Sequence, residues 1–317
     1  MFFIVLTHLV YLVSPTATQA SLTLPSAMTL MLEREYRLPV ITAYTLAEML
    51  FRVLLLGEYD GRQLRIRPRY ALPRDLTAVK NALEERGIFK QDRSLQNTVF
   101  RLSDRSQSNP EDVLCTINPF GFMSHLSAMA YHGLTNRIPA VMFFTTLKPI
   151  EWRIAADERM ARELGEHLAD YRANGLPPLR RPHPDKIQGY TIKTVLTSEP
   201  GGYQLARDGA LRVAKLGRTF LDMLQRPELC GGMGHVIDVF QEQAPKNLSI
   251  LINEFNQHGA KIDRVRAGYL LEDRCAIRDP RIERWTLDAQ RGGSRRLDAK
   301  SEYASTFSER WKLSINV

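Results

Sequence analysis

Fifteen residues near the middle of the chain concentrate the side-chain types from which active sites are built. Arg218 to Gly232 reads RTFLDMLQRPELCGG, with an arginine, a carboxylate, a cysteine and a glycine pair. A cysteine at a helix start is a candidate thiolate nucleophile, and CGGMGH (230–235) loosely resembles a glycine-rich phosphate loop. It has neither the GxxxxGK[ST] form nor GxGxxG between a strand and a helix, so the backbone cradle those motifs supply is not specified. No GxSxG elbow supplies a serine nucleophile, and no HExxH supplies a helical zinc pair with its base. His125 and His132 stand seven apart in SHLSAMAYHGL. They read as a ligand pair or, with Gly133 following, as a spacing that places His132 at the helix C-terminus. Asp298 and Lys300 in RRLDAK match the second half of a nuclease carboxylate–lysine motif, with no matching upstream acid. The reading expects no catalytic residues, no metal and no cofactor.

Helical spacing gives the opening segment a structural account. Phe220, Leu221 and Leu224 share one face, and Asp222 lies one turn after Arg218, the spacing of a local ion pair. Pro227 disfavours helical geometry at Arg226. Gly231 and Gly232 then form a tight passage to a second helix burying Val236, Ile237 and Phe240.

The rest of the chain supplies the elements around it. At 317 residues, two domains are expected. Hydrophobic residues at 44% and charged residues at 25% are those of a globular chain. The net charge of +8 is compatible with a polyanionic partner without requiring one. Cys115, Cys230 and Cys275 are widely separated, which reads as reduced thiols rather than a thiolate zinc site. In MFFIVLTHLVYLVSPTATQA the apolar run is too short to span a bilayer and lacks a preceding basic residue. A misplaced start codon or a packed hydrophobic segment is preferred over a signal peptide, and residues 1–27 are set apart as an extension.

From Met28 the pattern is regular. Thr45 and Glu48 suggest a capping box, followed by an apolar stripe from Leu46 to Leu54 that ends before Gly57. GRQLRIRPRYALPR (61–74) holds five arginines and no acid. A second helix in RDLTAVKNALEERGI, with Leu76, Val79, Ala82 and Leu83 inward, stops at Gly87. Two short strands, in IFKQ and NTVFRLS, flank a polar tip. Helix, helix and basic-tipped hairpin is the order of a winged helix-turn-helix over residues 28–103, whose second helix would enter the major groove. In that reading Arg74, Thr77, Lys80 and Asn81 face bases and phosphates, while Arg67, Arg69, Lys90 and Arg93 contact phosphate. A dimerisation or packing module of the same shape remains the alternative. DRSQSNPED (104–112) reads as a linker. Residues 113–317 read as one larger α/β unit, with strands at 141–147, 190–196 and 211–215 and a final one in WKLSINV. An amphipathic helix is expected from Ala155 to Ala173, stopped by Gly175. The fold class is α+β.

Four segments in order, SHLSAMAYHGLT (124–135), RTFLDMLQRPELCGG (218–232), KIDRVRAGYLLE (261–272) and QRGGSRRLD (290–298), resemble the AbiEi family of bacterial antitoxins. The likeness covers roughly Asn118 to the C-terminus. It implies a cytoplasmic, non-enzymatic type IV antitoxin of a phage-defence, abortive-infection operon. Such a protein has an N-terminal winged helix that represses its own promoter by binding inverted repeats, and a C-terminal domain that neutralises a nucleotidyltransferase toxin. It implies no membrane partner, and direct contact with the toxin is not required. His125, Arg218, Asp222, Arg291, Arg295 and Arg296 are the motif residues it singles out. The first fifty residues and the arginine-rich stretch 62–74 depart from the family. The alternative is a DNA-binding protein with a nuclease-like or nucleic-acid-modifying C-terminal domain.

Overall fold

The computed structural model describes residues 20–92, 95, 98–105, 107–199, 201–289 and 295–317. Arg93 and Arg291, and the apolar start of the chain, lie outside the described residues. The fold is mixed α and β.

The chain enters through α1 (Leu24–Arg34), whose N-cap Thr23 accepts the Ser26 amide. Leu22, Leu24 and Ala27 are already buried, so the folded unit takes in residues expected to belong to an extension. A short strand β1 (Val40–Thr42) leads into α2 (Ala43–Leu56). The helix starts three residues earlier than the capping-box pattern predicts. Thr42, extended at the end of β1, accepts the Thr45 amide at 3.2 Å. Glu48 does not reach back to the cap; it pairs with Arg52 one turn on, at 2.9 Å. The stripe through Leu46, Leu50 and Leu54 is buried, and Gly57 ends the helix in the left-handed region at φ 68°.

Two two-residue strands, β2 (Glu58–Tyr59) and β3 (Arg62–Gln63), make a small hairpin before α3 (Pro73–Glu85). Gly87 follows at φ 69°. β4 (Phe89–Gln91) and β5 (Val99–Leu102) then pair antiparallel, and β5 also pairs with β1, giving the order β1-β5-β4. One face of this sheet, with Phe89, Phe100 and Leu102, shares a core with α1, α2 and α3. Val40, Leu95 and Val99 belong to the core of the following unit. That first core also takes in Met160, Leu164, Tyr171 and Leu176 from later in the chain.

The expected linker is shorter than its polarity suggests. Pro110 to Asp112 form the first turn of α4 (Pro110–Ile117), and buried Asp112 binds Arg207 at 2.9 Å. β6 (Gly121–Met123), α5 (His125–Tyr131), β7 (Val141–Leu147) and α6 (Pro149–Leu164) follow. α6 begins six residues before the expected Ala155, because Pro149 occupies a first-turn position where its missing N–H costs nothing. It breaks at Gly165, φ 53°, and α7 (Leu168–Ala173) completes the stretch as a separate helix.

β8 (Lys186–Ile187), β9 (Tyr190–Thr197), β10 (Tyr203–Ala206) and β11 (Leu211–Ala214) complete a six-stranded mixed sheet in the order β10-β11-β6-β7-β9-β8. β7 and β9 run parallel in register from Val141↔Thr191 to Leu147↔Thr197, joined by the helical crossover that parallel neighbours require. A helical layer follows: α8 (Leu216–Gln225), α9 (Met233–Gln243), α10 (Leu248–His258) and α11 (Lys261–Tyr269), the last running into a π turn at Leu270–Arg274. Their core holds Phe220, Leu224, Phe240, Phe255 and Leu270. After the short α12 (Pro280–Glu283), the chain ends on the β12 (Phe307–Ser308) and β13 (Leu313–Ser314) hairpin, which buries Trp311. The final expected strand is thus only two residues long. Among the described residues, no helix is long and apolar enough to cross a membrane.

Candidate functional site

α3 turns Val79 and Leu83 into the first core and leaves Arg74, Thr77 and Asn81 exposed on its other side. The helix is placed by its own start. Asp75 accepts the Leu72 amide at 2.9 Å, and Arg69 grips both of its oxygens at 2.7 and 2.6 Å. The hydrogen bonds from Arg69 hold the Asp75 carboxyl below its ordinary pKa, against a smaller opposing effect of burial. Arg69, expected on phosphate, is therefore engaged in fixing the helix N-terminus. Thr77 donates to the Pro73 carbonyl at 3.0 Å, leaving the hydroxyl oxygen as an acceptor at the surface.

The remaining cations divide between two sides. Lys80 lies with its Nζ 5.1 Å from the Phe100 ring centroid, a cation–π placement at the edge of the helix. Arg67 is exposed in the segment leading into α3. Lys90 stands opposite Arg101 in the β4–β5 ladder, so its side chain lies on that face of the sheet. Phe89 and Phe100, which pack with α3, occupy the other face. The structure thus places Arg74, Thr77, Lys80 and Asn81 on α3 and Arg67 in the exposed segment before it, and puts Lys90 on the other face of the sheet. Within the hairpin tip, Leu95 is 2% exposed and packs into the second core, a contact the polar pattern QDRSLQ conceals.

Three of the residues singled out in the second unit, His125, Arg218 and Asp222, lie close together in a largely buried polar centre. Ser124 ends β6 and His125 opens α5 with φ 50°, a strained value for a side-chain-bearing residue that costs of order 1–3 kcal/mol. His125 Nδ1 lies 2.8 Å from Ser124 Oγ, which accepts from Thr145 Oγ1 at 2.8 Å. Burial pushes the His125 pKa down, opposed by the Asp222 carboxylate. On α8, Arg218 Nε donates to Asp222 Oδ1 at 2.8 Å, the expected pair. Burial works against the Arg218 charge, but Asp222, Glu254 and Glu199 together outweigh it. Asp222 Oδ2 is buried without a hydrogen-bond partner. A serine, a histidine and an aspartate in one place suggest nucleophilic catalysis, but Ser124 is 0% exposed and His125 and Asp222 are 3% exposed. A nucleophile needs access to its substrate, and in this geometry the centre is closed to one.

The other sequence candidates do not converge on it. His132 Nε2 contacts the Ala214 carbonyl at 2.7 Å, tying α5 to β11, and is not directed at a shared site with His125. Cys230 is fully buried and its thiol is pushed well above the ordinary range, so it is not an activated thiolate. Arg295 donates to the Asp288 carbonyl and Arg296 to that of Ser301, both at 2.7 Å, which fastens the C-terminal segment. Lys300 Nζ lies on Glu228 at 2.6 Å, whereas Asp298 accepts from Ser301 and the Lys300 amide. The two do not form a carboxylate–lysine centre.

One concave surface was not singled out in the sequence. A cleft of about 710 Å³ lies beside α6, lined by Arg153, Arg180, Arg181 and His183 among others. Its signal is the run LPPLRRPHP (176–184), where prolines hold the chain extended and place two arginines side by side.

No family model matches the chain, and no curated protein matches it. Among solved structures it is similar to the crystal structure of RV2827C protein from Mycobacterium tuberculosis, at 14% identity over 92% of this chain and 90% of that one, with a TM-score of 0.48. A likeness that weak carries no argument about function.

Proposed function

We propose that this chain is a DNA-binding regulator whose N-terminal unit acts as a winged helix-turn-helix, with α3 as the helix presented to the major groove. One observation carries the reading. α3 is clamped at its start by Arg69 and Asp75 and packed by Val79 and Leu83, while Arg74, Thr77 and Asn81 stay exposed on its outer face. The order α1, β1, α2, α3, β4, β5, interrupted by the small β2–β3 hairpin between α2 and α3, supports it together with the sheet β1-β5-β4. Threonine and asparagine on such a face contact base edges, and arginine contacts phosphate or guanine. Arg67, ahead of the helix, and Lys80, on it, serve as phosphate contacts, whereas Lys90 and Arg69 drop out of the direct set.

The resemblance of the later motifs to AbiEi antitoxins supports the further reading that the DNA is the protein's own promoter. In that reading residues 113–317 form the antitoxin domain, which counters a nucleotidyltransferase toxin in the cytoplasm. The test is binding of the full chain to a labelled duplex from upstream of its own gene, against a shuffled duplex, over a salt series. The proposal expects a preference for the upstream duplex and an affinity that falls steeply with salt. Equal affinity for both duplexes removes the sequence-specific reading. For the antitoxin role, co-expression with a neighbouring nucleotidyltransferase gene should restore growth, and unrelieved toxicity would remove it.

A further inference from the structure

The cleft beside α6 has the composition of a site for an anion that carries an apolar group. One wall is α6 and the other is the extended segment 176–184, anchored by the Tyr171 hydroxyl on the Pro177 carbonyl at 2.7 Å and by the Leu179 amide on Met160 Sδ at 3.5 Å. The floor is apolar, formed by Trp152, Ala156, Met160 and Leu176. The rim carries Arg153, Arg180, Arg181 and His183. Arg172 also lines it, but is bound to Asp157 at 2.7 Å, and Asp157 is the one carboxylate among the described lining residues. No described carboxylate pairs with Arg153, Arg180 or Arg181, and Arg181 Nε is buried without a hydrogen-bond partner. A guanidinium N–H buried without a partner is unfavourable, and a phosphate oxygen would satisfy it.

We propose that this cleft binds a nucleoside diphosphate or triphosphate, with the phosphates on Arg153, Arg180 and Arg181 and the base in the apolar part of the cleft that adjoins buried Trp152. Three unmatched guanidiniums suit a ligand of three or more negative charges, and guanidinium forks fit phosphate oxygens two at a time. The volume lies within the range of small-ligand sites, about 300–1,000 Å³. The segment carrying Arg180 and Arg181 also lines a second cavity against Thr42, Tyr44 and Val99, so the site adjoins the N-terminal unit. The proposal stands apart from the DNA-binding reading, since no α3 residue lines the cleft.

The test titrates ATP and GTP into the full chain by calorimetry and by tryptophan fluorescence. Inorganic triphosphate measures the phosphate share, and a single-stranded oligonucleotide serves as competitor. Nucleotide should bind, and Trp152→Phe should remove the fluorescence response while calorimetric binding persists. Arg180→Ala with Arg181→Ala should weaken binding about tenfold or more. Arg153→Glu, at an exposed position on α6, provides a second variant whose folding is checked by its melting curve. Absence of binding by both nucleotides, equal affinity in both arginine variants, or oligonucleotide binding that nucleotides do not displace would each overturn the proposal.

Discussion

α8 and α3 are similar segments with opposite fates. Each is a short amphipathic helix with an arginine, an aspartate and a proline near its ends. In α8 the polar residues face inward: Arg218 holds Asp222, which is 3% exposed, beneath a layer of Phe220, Leu221 and Leu224. In α3 the corresponding ion pair, Arg69 with Asp75, sits at the helix start, and the outward polar residues have been left to the solvent. The segment that looks more like an active site is mostly buried, and the plainer one leaves its polar side chains at the surface. Residue type does not separate the two cases; whether a polar side chain is already matched within the fold does.

The largest effect that can break this comparison lies in α8. Asp222→Ala leaves the Arg218 guanidinium without its partner in a largely buried setting, so a loss of roughly 3 kcal/mol is expected in urea unfolding. A loss below about 0.5 kcal/mol, the size of an ordinary surface change, would mean that the pair is not structural. A smaller loss is expected where backbone meets ring. A Cβ at Gly268 runs into the Trp311 indole, so Gly268→Ala should cost about 1–3 kcal/mol by overpacking, read as a lowered melting temperature.

At the start of α3 the expected effect is about 1 kcal/mol, the worth of a capping carboxylate, and it depends on pH. Asp75 has a folded pKa below the ordinary 3.8, so it stabilises the fold above that value. Protonation removes the contribution as pH falls from 3.8 through the lowered folded value. Asp75→Asn should therefore be less stable than the parent at neutral pH, and the two should converge in acid. A gap independent of pH would assign the effect to something other than the charge. Smallest for stability is Arg67→Ala. It should leave unfolding within about 0.5 kcal/mol while lowering the slope of log affinity against log salt by about 1. An unchanged slope would take Arg67 off the phosphate.

Much of the scaffold was legible in the sequence because local spacing encoded it. β7 runs from Val141 to Leu147 as its apolar run predicts, and α8 stops where Pro227 requires. The α2 stripe and its stop at Gly57 were equally plain, but its start was not. Thr42 and Thr45 are both competent caps, and the choice fell to Thr42 because β1 holds it extended against β5. Long-range matching was the part that spacing could not carry. Nothing within QDRSLQ says that Leu95 packs into the second core, and nothing in RPRYALPRD says that Arg69 folds back onto Asp75. The cleft beside α6 needs two walls from separate stretches, so neither wall alone announced it.

The most direct test of the account is the affinity of a Thr77→Ala, Asn81→Ala double variant for the duplex upstream of its own gene. The account predicts a fall of about tenfold or more, since each base contact is worth roughly 1–3 kcal/mol, with unfolding free energy within about 0.5 kcal/mol of the parent. Unchanged affinity at unchanged stability would contradict it and return α3 to the scaffold alongside α8.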